Sequence, residues 1–341
     1  MKKEIRIISL LLAVLFTAFC FIGCGEKKNF YSALKEIKDV EHFEYEGVVS
    51  VTGTELTDSI PISEIKLSGV YADNKNASME ISLKLYDKDS YINLTNLYLI
   101  ENSVYVDIRS IIDAIDPLMG EEAIGLDASM LLEEGESYYV LPLTDLEDGA
   151  VSPLENSDVY SEIIRDVIDV CLDFAEQTAK EVKPSMLSEK NGVYSFEISD
   201  KNVQSFVNKL GDVIEKNYET TVNSLISKYE GKGGAYKDAA EELKAAMDEQ
   251  KEYINDTIKE MKEYKYEEET EFNANASVEV TGNKGYRIVK LNASAKQEEN
   301  SVTISLTLNE DVKTKLQAPE NIISEKTEEK MGELFADSFS F

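Results

Sequence analysis

The chain has no tryptophan, one histidine, three cysteines and six prolines in 341 residues. Each scarcity removes a class of chemistry. A single histidine, His42, excludes every site built on two, including the helical zinc-protease motif. No Gly-x-Ser-x-Gly elbow is present. Ser32-Ala-Leu-Lys35 and Ser63-Glu-Ile-Lys66 fit a Ser-x-x-Lys pattern, but the Ser-Asp-Asn and Lys-Thr-Gly companions that give that pattern meaning are missing. Gly231-Lys232-Gly233-Gly234 lacks the spacing of a phosphate loop and reads as a turn. Asp87-Lys88-Asp89-Ser90 begins like a calcium loop but has neither its glycine nor its bidentate glutamate, so a hairpin turn is expected there. No catalytic residue, metal or cofactor is expected, and the chain reads as a non-enzyme.

Positive charge is also in short supply. Lys and Arg number 35 against 66 Asp and Glu, a net charge of −31 spread along the whole length. That excess repels phosphate backbones and anionic lipid headgroups, so nucleic acid is not an expected partner.

The cysteines give the chain its one readable chemical assignment. Lys2, Lys3 and Arg6 form a basic flank, and Ile7 to Phe19 then run without a charge. Phe21-Ile22-Gly23-Cys24 follows, and Glu26, Lys27 and Lys28 return the chain to polarity. A basic flank, an apolar stretch and small residues at the cut describe a secretory signal. The stretch is shorter than the roughly 20 apolar residues a membrane span needs. The four residues ending at Cys24 fit a lipobox, in which the thiol is acylated and the peptide is cut before it. Residues 1–23 are therefore expected to be a signal peptide, with Cys24 the lipid attachment on a tether of residues 24–29. The mature chain then carries 32 Lys and Arg against 65 Asp and Glu, or −33. The expected location is the extracytoplasmic face of the cell membrane, with the membrane itself as a partner through the lipid. Cys171 has no cysteine left to pair with and lies in the series Tyr160, Ile164, Val167, Cys171, Phe174, one helical face, where it acts as a small hydrophobe.

Periodicity then divides the chain. Residues 30–150 read as a short helix (Phe30, Ala33, Leu34, Ile37) and a β-meander with clean alternation at Ala77, Met79, Ile81, Leu83 and Leu85. A short helix from Ile108 is expected to stop at Pro117. Residues 151–268 are mostly helical. Asp158–Val182 forms one helix, with Asp166, Asp169 and Asp173 on its solvent face. A β-hairpin turns at Asn191-Gly192. Two helices of about 30 residues follow over 200–265, starting at Asp200 as N-cap and forming a long antiparallel hairpin that projects beyond the sheet. A second meander occupies 269–323, and 324–341 is a C-terminal tail.

The two meanders resemble each other. Phe43–Gly53 aligns with Phe272–Gly282 at five identities in eleven positions, and Ile65-Lys66-Leu67 and Ile81–Leu85 align in order with Val289-Lys290-Leu291 and Ile304–Leu308. The fold class expected is α+β: a curved, half-barrel-like antiparallel sheet, or two similar sheets, from a duplicated β-meander, packed with helices, plus the long helical hairpin. Ala274, Ala276, Ala293 and Ala295 put small residues on inward-pointing strand positions, and Gly47 and Gly69 do the same in the first meander. That leaves room above the sheet for a packed helix or for a lipid-like ligand.

The lipobox, the His42-Phe43 opening of a long meander, the interleaved helices and the closing Leu316-Gln317-Ala318-Pro319-Glu320 together resemble the LolA/LppX-like extracytoplasmic lipoproteins in layout. That resemblance implies a half-barrel sheet whose hollow carries a lipid or lipoprotein, and it transfers no catalytic residue. The long hairpin at 200–265 departs from the compact family pattern. Two functions follow as expectations: a membrane-anchored binder or carrier of an apolar, lipid-like ligand, or an envelope module that meets another protein through the hairpin.

Overall fold

The computed structural model describes residues 30, 42–53, 62–73, 75–119, 125, 127–143, 157–266, 272–283, 286–297 and 300–328. The expected signal peptide at 1–23, Cys24 and the expected tether, Ala33, Leu34 and Ile37 of the expected short helix, and the tail beyond 328 lie outside them. Along the chain run β1 (Phe43–Thr52), β2 (Ile62–Asp73), β3 (Asn76–Leu85), β4 (Ile92–Ile100), β5 (Ser103–Asp107), α1 (Ile108–Met119) and β6 (Tyr138–Pro142). Then come α2 (Ser157–Val182), β7 (Leu187–Lys190), β8 (Val193–Ser199), α3 (Val203–Glu230), α4 (Ala235–Lys262), β9 (Phe272–Asn283), β10 (Tyr286–Gln297) and β11 (Asn300–Asn309). The fold is α+β, with antiparallel strands and helices, and two compact units divide it.

The strand-rich unit comprises Glu41–Glu155 and Val302–Phe341. Its strands neighbour one another in the order β6-β5-β4-β3-β2-β1-β11. Strict two-residue alternation sorts the side chains: Val49 faces Ile65, which faces Leu83, and Leu67 faces Ile81. The opposite face carries charge in register, with Glu64 paired to Lys84 at 3.2 Å and Glu46 to Lys66 at 3.0 Å. Helix α1 does not stop at Pro117. It continues to Met119: Pro117 supplies no N–H, so one i→i−4 bond of the last turn is missing, and the helix ends two residues on. Asp107 starts this helix by accepting from the Ser110 N–H at 3.0 Å.

The helix-rich unit comprises Met1–Val40 and Asn156–Ser301, with strand order β10-β9-β8-β7. Asn191 (φ 57°) and Gly192 (φ 80°) make the tight turn that their dipeptide predicts. Helices α3 and α4 form the antiparallel hairpin. Gly211 lets them approach: a Cβ there would stand 3.1 Å from the Met261 Cβ and 3.2 Å from the Ile258 carbonyl oxygen. The Asn208 amide finishes α4 by donating to the carbonyls of Met261 (2.8 Å), Lys262 (2.9 Å) and Tyr264 (3.0 Å).

Two sequence expectations fail in this unit. Asp200 is not the cap of α3. The cap position belongs to Asn202, whose Oδ1 turns back to accept from the Ser199 N–H at 2.8 Å. The expected apolar face of α2 is not the fully buried one either. Of its described side chains Val167 is 36% exposed and Cys171 and Phe174 are half-buried. Val159 and Ile163 are buried near the start of the helix, and Leu172, Ala175 and Ala179, on the side opposite these two, near its end. Asp166 is no solvent residue, for α3 packs against that side of the helix.

The meander repeat holds in topology but not in register. Val49 pairs with Ile65, yet the aligned Val278 pairs with Leu291, and Val289, aligned with Ile65, pairs with Val280. A two-residue offset keeps every side chain on its face, so the two copies could diverge this way without turning their cores outward.

Candidate functional site

The six small residues singled out by sequence fall in two different units. Ala274, Ala276, Ala293 and Ala295 belong to the helix-rich unit and are 2–8% exposed. Ala276 stands between Phe196 and Ala293, and Ala274 between Ile198 and Ala295, so each row sets one large side chain beside two small ones. Phe30 stacks on Phe196 at 5.8 Å between ring centroids, and Phe206 of α3 meets the same ring at 5.5 Å. The space above these alanines is therefore bordered by packed aromatic rings.

Gly47 and Gly69 lie on the apolar face of the strand-rich unit. A Cβ on Gly47 would meet Leu306 Cδ1 at 3.5 Å, an ordinary contact. Gly69 is a tighter case. It faces Tyr45 on β1, whose hydroxyl passes across it to donate to the Ser78 carbonyl oxygen at 3.0 Å, and burial pushes this phenol up to about 12.

Around these glycines spreads a half-buried apolar face. Cross-strand rows assign Phe43 and Tyr71, Leu67 and Ile81, Met79 and Leu97, and Val104 and Leu141 to one face. All eight are only half-buried, and Ile65 and Tyr139 on the same face are each 37% exposed. Leu83 and Leu85, toward one end, are buried. The aligned strands of the other unit bury this face, with alanine at 274 and 276 where the first meander has Tyr45 and Gly47. Sequence alternation identified the face, but it carries no signal for how completely the face is covered.

The opposite, polar face holds a cleft of about 420 Å³ lined by Glu44, Glu46, Glu80, Asn96, Tyr98 and Thr314 among others. The Thr314 hydroxyl and backbone N–H, with the Lys313 N–H, donate to Glu44 and hold its carboxyl below the usual range. Among the described residues, no group of three or more His, Cys, Asp or Glu is placed to hold a metal ion. His42 is exposed, 3.3 Å from the Ala72 carbonyl oxygen, at the mouth of β1. Asp87–Ser90 forms the exposed turn between β3 and β4.

The closed end of the helical hairpin is pinned against α2. Tyr229, fully buried, donates its hydroxyl to the Asp166 carboxylate and lies 5.9 Å from the Tyr236 ring in a parallel stack. Lys228 reaches Asp166, and Lys232 reaches Glu162 at 2.6 Å while lying 4.3 Å over the Tyr236 ring. Val159 and Ile163 pack with Ile226, Ala239 and Ala240 beneath this cluster. These contacts were not legible, because residues about 60 apart make them.

Among the described residues no helix is long and apolar enough to cross a membrane. Comparison with protein-family models, curated proteins and solved structures finds no match to this chain.

Proposed function

We propose that the chain is a lipoprotein held at the extracytoplasmic face of the cell membrane by acyl groups on Cys24, and that it binds or carries an apolar, lipid-like ligand without catalysis. The observation that carries this reading is the half-buried apolar face of the strand-rich unit. Monomeric proteins rarely leave a contiguous apolar patch of several strands' width in water, and such patches mark binding surfaces. The face spans β1 to β6, with Gly47 and Gly69 lowering its middle and Tyr45 supplying a polar handle beside them. On β1 to β3 its opposite side carries the Glu46–Lys66 and Glu64–Lys84 ion pairs, which sets the two sides of those strands apart.

Titration of the mature protein, residues 24–341 with Cys24→Ser, with a fluorescent fatty acid tests the reading. Saturable binding is expected, weakened at least tenfold by Ile65→Lys together with Tyr139→Lys on the apolar face. Binding that these two changes leave untouched would place any ligand elsewhere.

A further inference from the structure

The helix-rich unit carries a second surface that the ligand reading leaves unused. In a chain of net charge −31, a cleft of about 560 Å³ is lined by Lys183, Lys201 and Lys209, with Glu181, Asn202 and Ser205. Three separate elements bring the lysines together. Lys183 follows the end of α2, Lys201 sits in the turn between β8 and α3, and Lys209 lies on α3. Lys209 pairs with Glu181 at 2.8 Å. Lys183 and Lys201 are exposed and make no ion pair among the described residues. The lining thus holds three positive charges and one negative, the reverse of the molecule as a whole. The cleft also borders the N-terminus of α3, the positive end of a 28-residue helix, where Asn202 makes no side-chain cap.

Phe30 is 1% exposed, locked through Phe196 to Phe206, the residue that follows Ser205 of the cleft. Cys24 precedes Phe30 by six residues, so its backbone reaches at most about 20 Å from that aromatic cluster. A bilayer that holds the acyl groups of Cys24 is then held close to this end of the unit. Beyond about 8 Å the charge of the acidic remainder is screened at physiological salt, and the nearest groups dominate the interaction.

We propose that the Lys183–Lys201–Lys209 cleft receives the phosphate of an anionic phospholipid headgroup, so that the helix-rich unit docks on the membrane its own anchor enters. The inference rests on acylation of Cys24. The lipid sets the distance and the lysines set the orientation, each lysine near an anionic surface favouring the docked state about fivefold.

The test uses the full lipidated protein in vesicles of phosphatidylcholine alone or with one-third phosphatidylglycerol, treated with a membrane-impermeant amine reagent and read by peptide mass spectrometry. Labelling of Lys183 and Lys201 is expected to fall at least fivefold in the phosphatidylglycerol vesicles and to recover in 1 M salt. Lys244 and Lys259, exposed on α4, should label equally in both. A Lys183→Gln, Lys201→Gln variant should lose the protection of Lys209. Equal labelling of Lys183 and Lys201 in the two vesicle types overturns the docking proposal while leaving the anchor intact. Protection that 10 mM inorganic phosphate reproduces without vesicles overturns it in favour of a free-phosphate site. A protein without acyl mass on Cys24 overturns the anchor reading, and with it the tether on which docking depends.

Discussion

The Tyr45 hydroxyl reaches the Ser78 carbonyl oxygen at 3.0 Å across Gly69, so a side chain of β1 is tied to the backbone of β3 over the strand between them. The glycine is the condition for this bond. A Cβ at position 69 would lie 2.0 Å from the Ser78 carbonyl oxygen and 2.9 Å from the Tyr45 hydroxyl, and the first of these is backbone, which cannot swing aside. Gly69→Ala is therefore expected to destabilise the strand-rich unit by about 2–3 kcal/mol. Gly47→Ala, whose nearest contact is a Leu306 methyl at 3.5 Å, should stay within about 0.5 kcal/mol. Urea midpoints followed by tyrosine fluorescence compare the two, and equal effects would contradict the account.

The pinned end of the hairpin makes a local prediction. Removing the Tyr229 hydroxyl with Tyr229→Phe deletes a hydrogen bond to an ionised carboxylate and leaves the ring stack in place. A loss of about 1.5–3 kcal/mol is expected. It should appear first as faster amide exchange over Ile226–Ala240. Exchange in β9 and β10 should change less.

Acid should release one segment before others. Glu136, 8% exposed, accepts from the backbone and hydroxyl of the 324–327 turn and from the Glu133 N–H. Burial alone would raise its pKa, but the Ser324 and Thr327 donors outweigh it and hold the carboxyl near 2, against an ordinary 4.5. Because the folded value lies below the unfolded one, the stabilisation is complete above pH 4.5 and is lost as pH falls from 4.5 toward 2. The amide-exchange protection factors of Ile323–Glu328, taken relative to the intrinsic rate at each pH, should fall across that window in the wild type. In Glu136→Gln they should already be low at pH 6 and vary little from there down.

Cys171 should be slow to react in the native protein. Burial pushes its thiol up, and no basic group is among the causes of the shift. In the Cys24→Ser chain, a disulfide reagent at pH 8 is expected to modify Cys171 at least a hundredfold faster in 8 M urea than in buffer. Comparable rates would mean that the thiol is accessible in the folded state.

Much of the fold was legible because it rests on local periodicity. The alternation from Ala77 to Leu85 placed β3, and Asn191-Gly192 placed the β7–β8 turn. The long stripes on either side of Gly231–Gly234 placed the α3–α4 hairpin. Failures arose where distant residues decide. Asp166 looked solvated on its own helix, yet it is partnered by Lys228 and Tyr229, 62 and 63 positions on. The α2 stripe containing Val167 is apolar, yet full burial falls on Val159 and Ile163 near one end and on Leu172, Ala175 and Ala179 near the other, and only the elements packed against each end decide this. Likewise Ala276 and Gly47 occupy aligned positions and are equally small, but one lies in a covered core and the other on the half-exposed face. Composition registers size and polarity, not coverage.

The central claim is that the apolar face of the strand-rich unit holds a lipid-like molecule. Its most direct test is organic extraction and lipid mass spectrometry of the mature Cys24→Ser protein purified without detergent, beside the Ile65→Lys, Tyr139→Lys variant. The account predicts close to one apolar molecule per wild-type chain and a severalfold smaller yield from the variant at equal folding. A wild-type chain that yields none, and that takes up no fatty acid when it is offered, would contradict it.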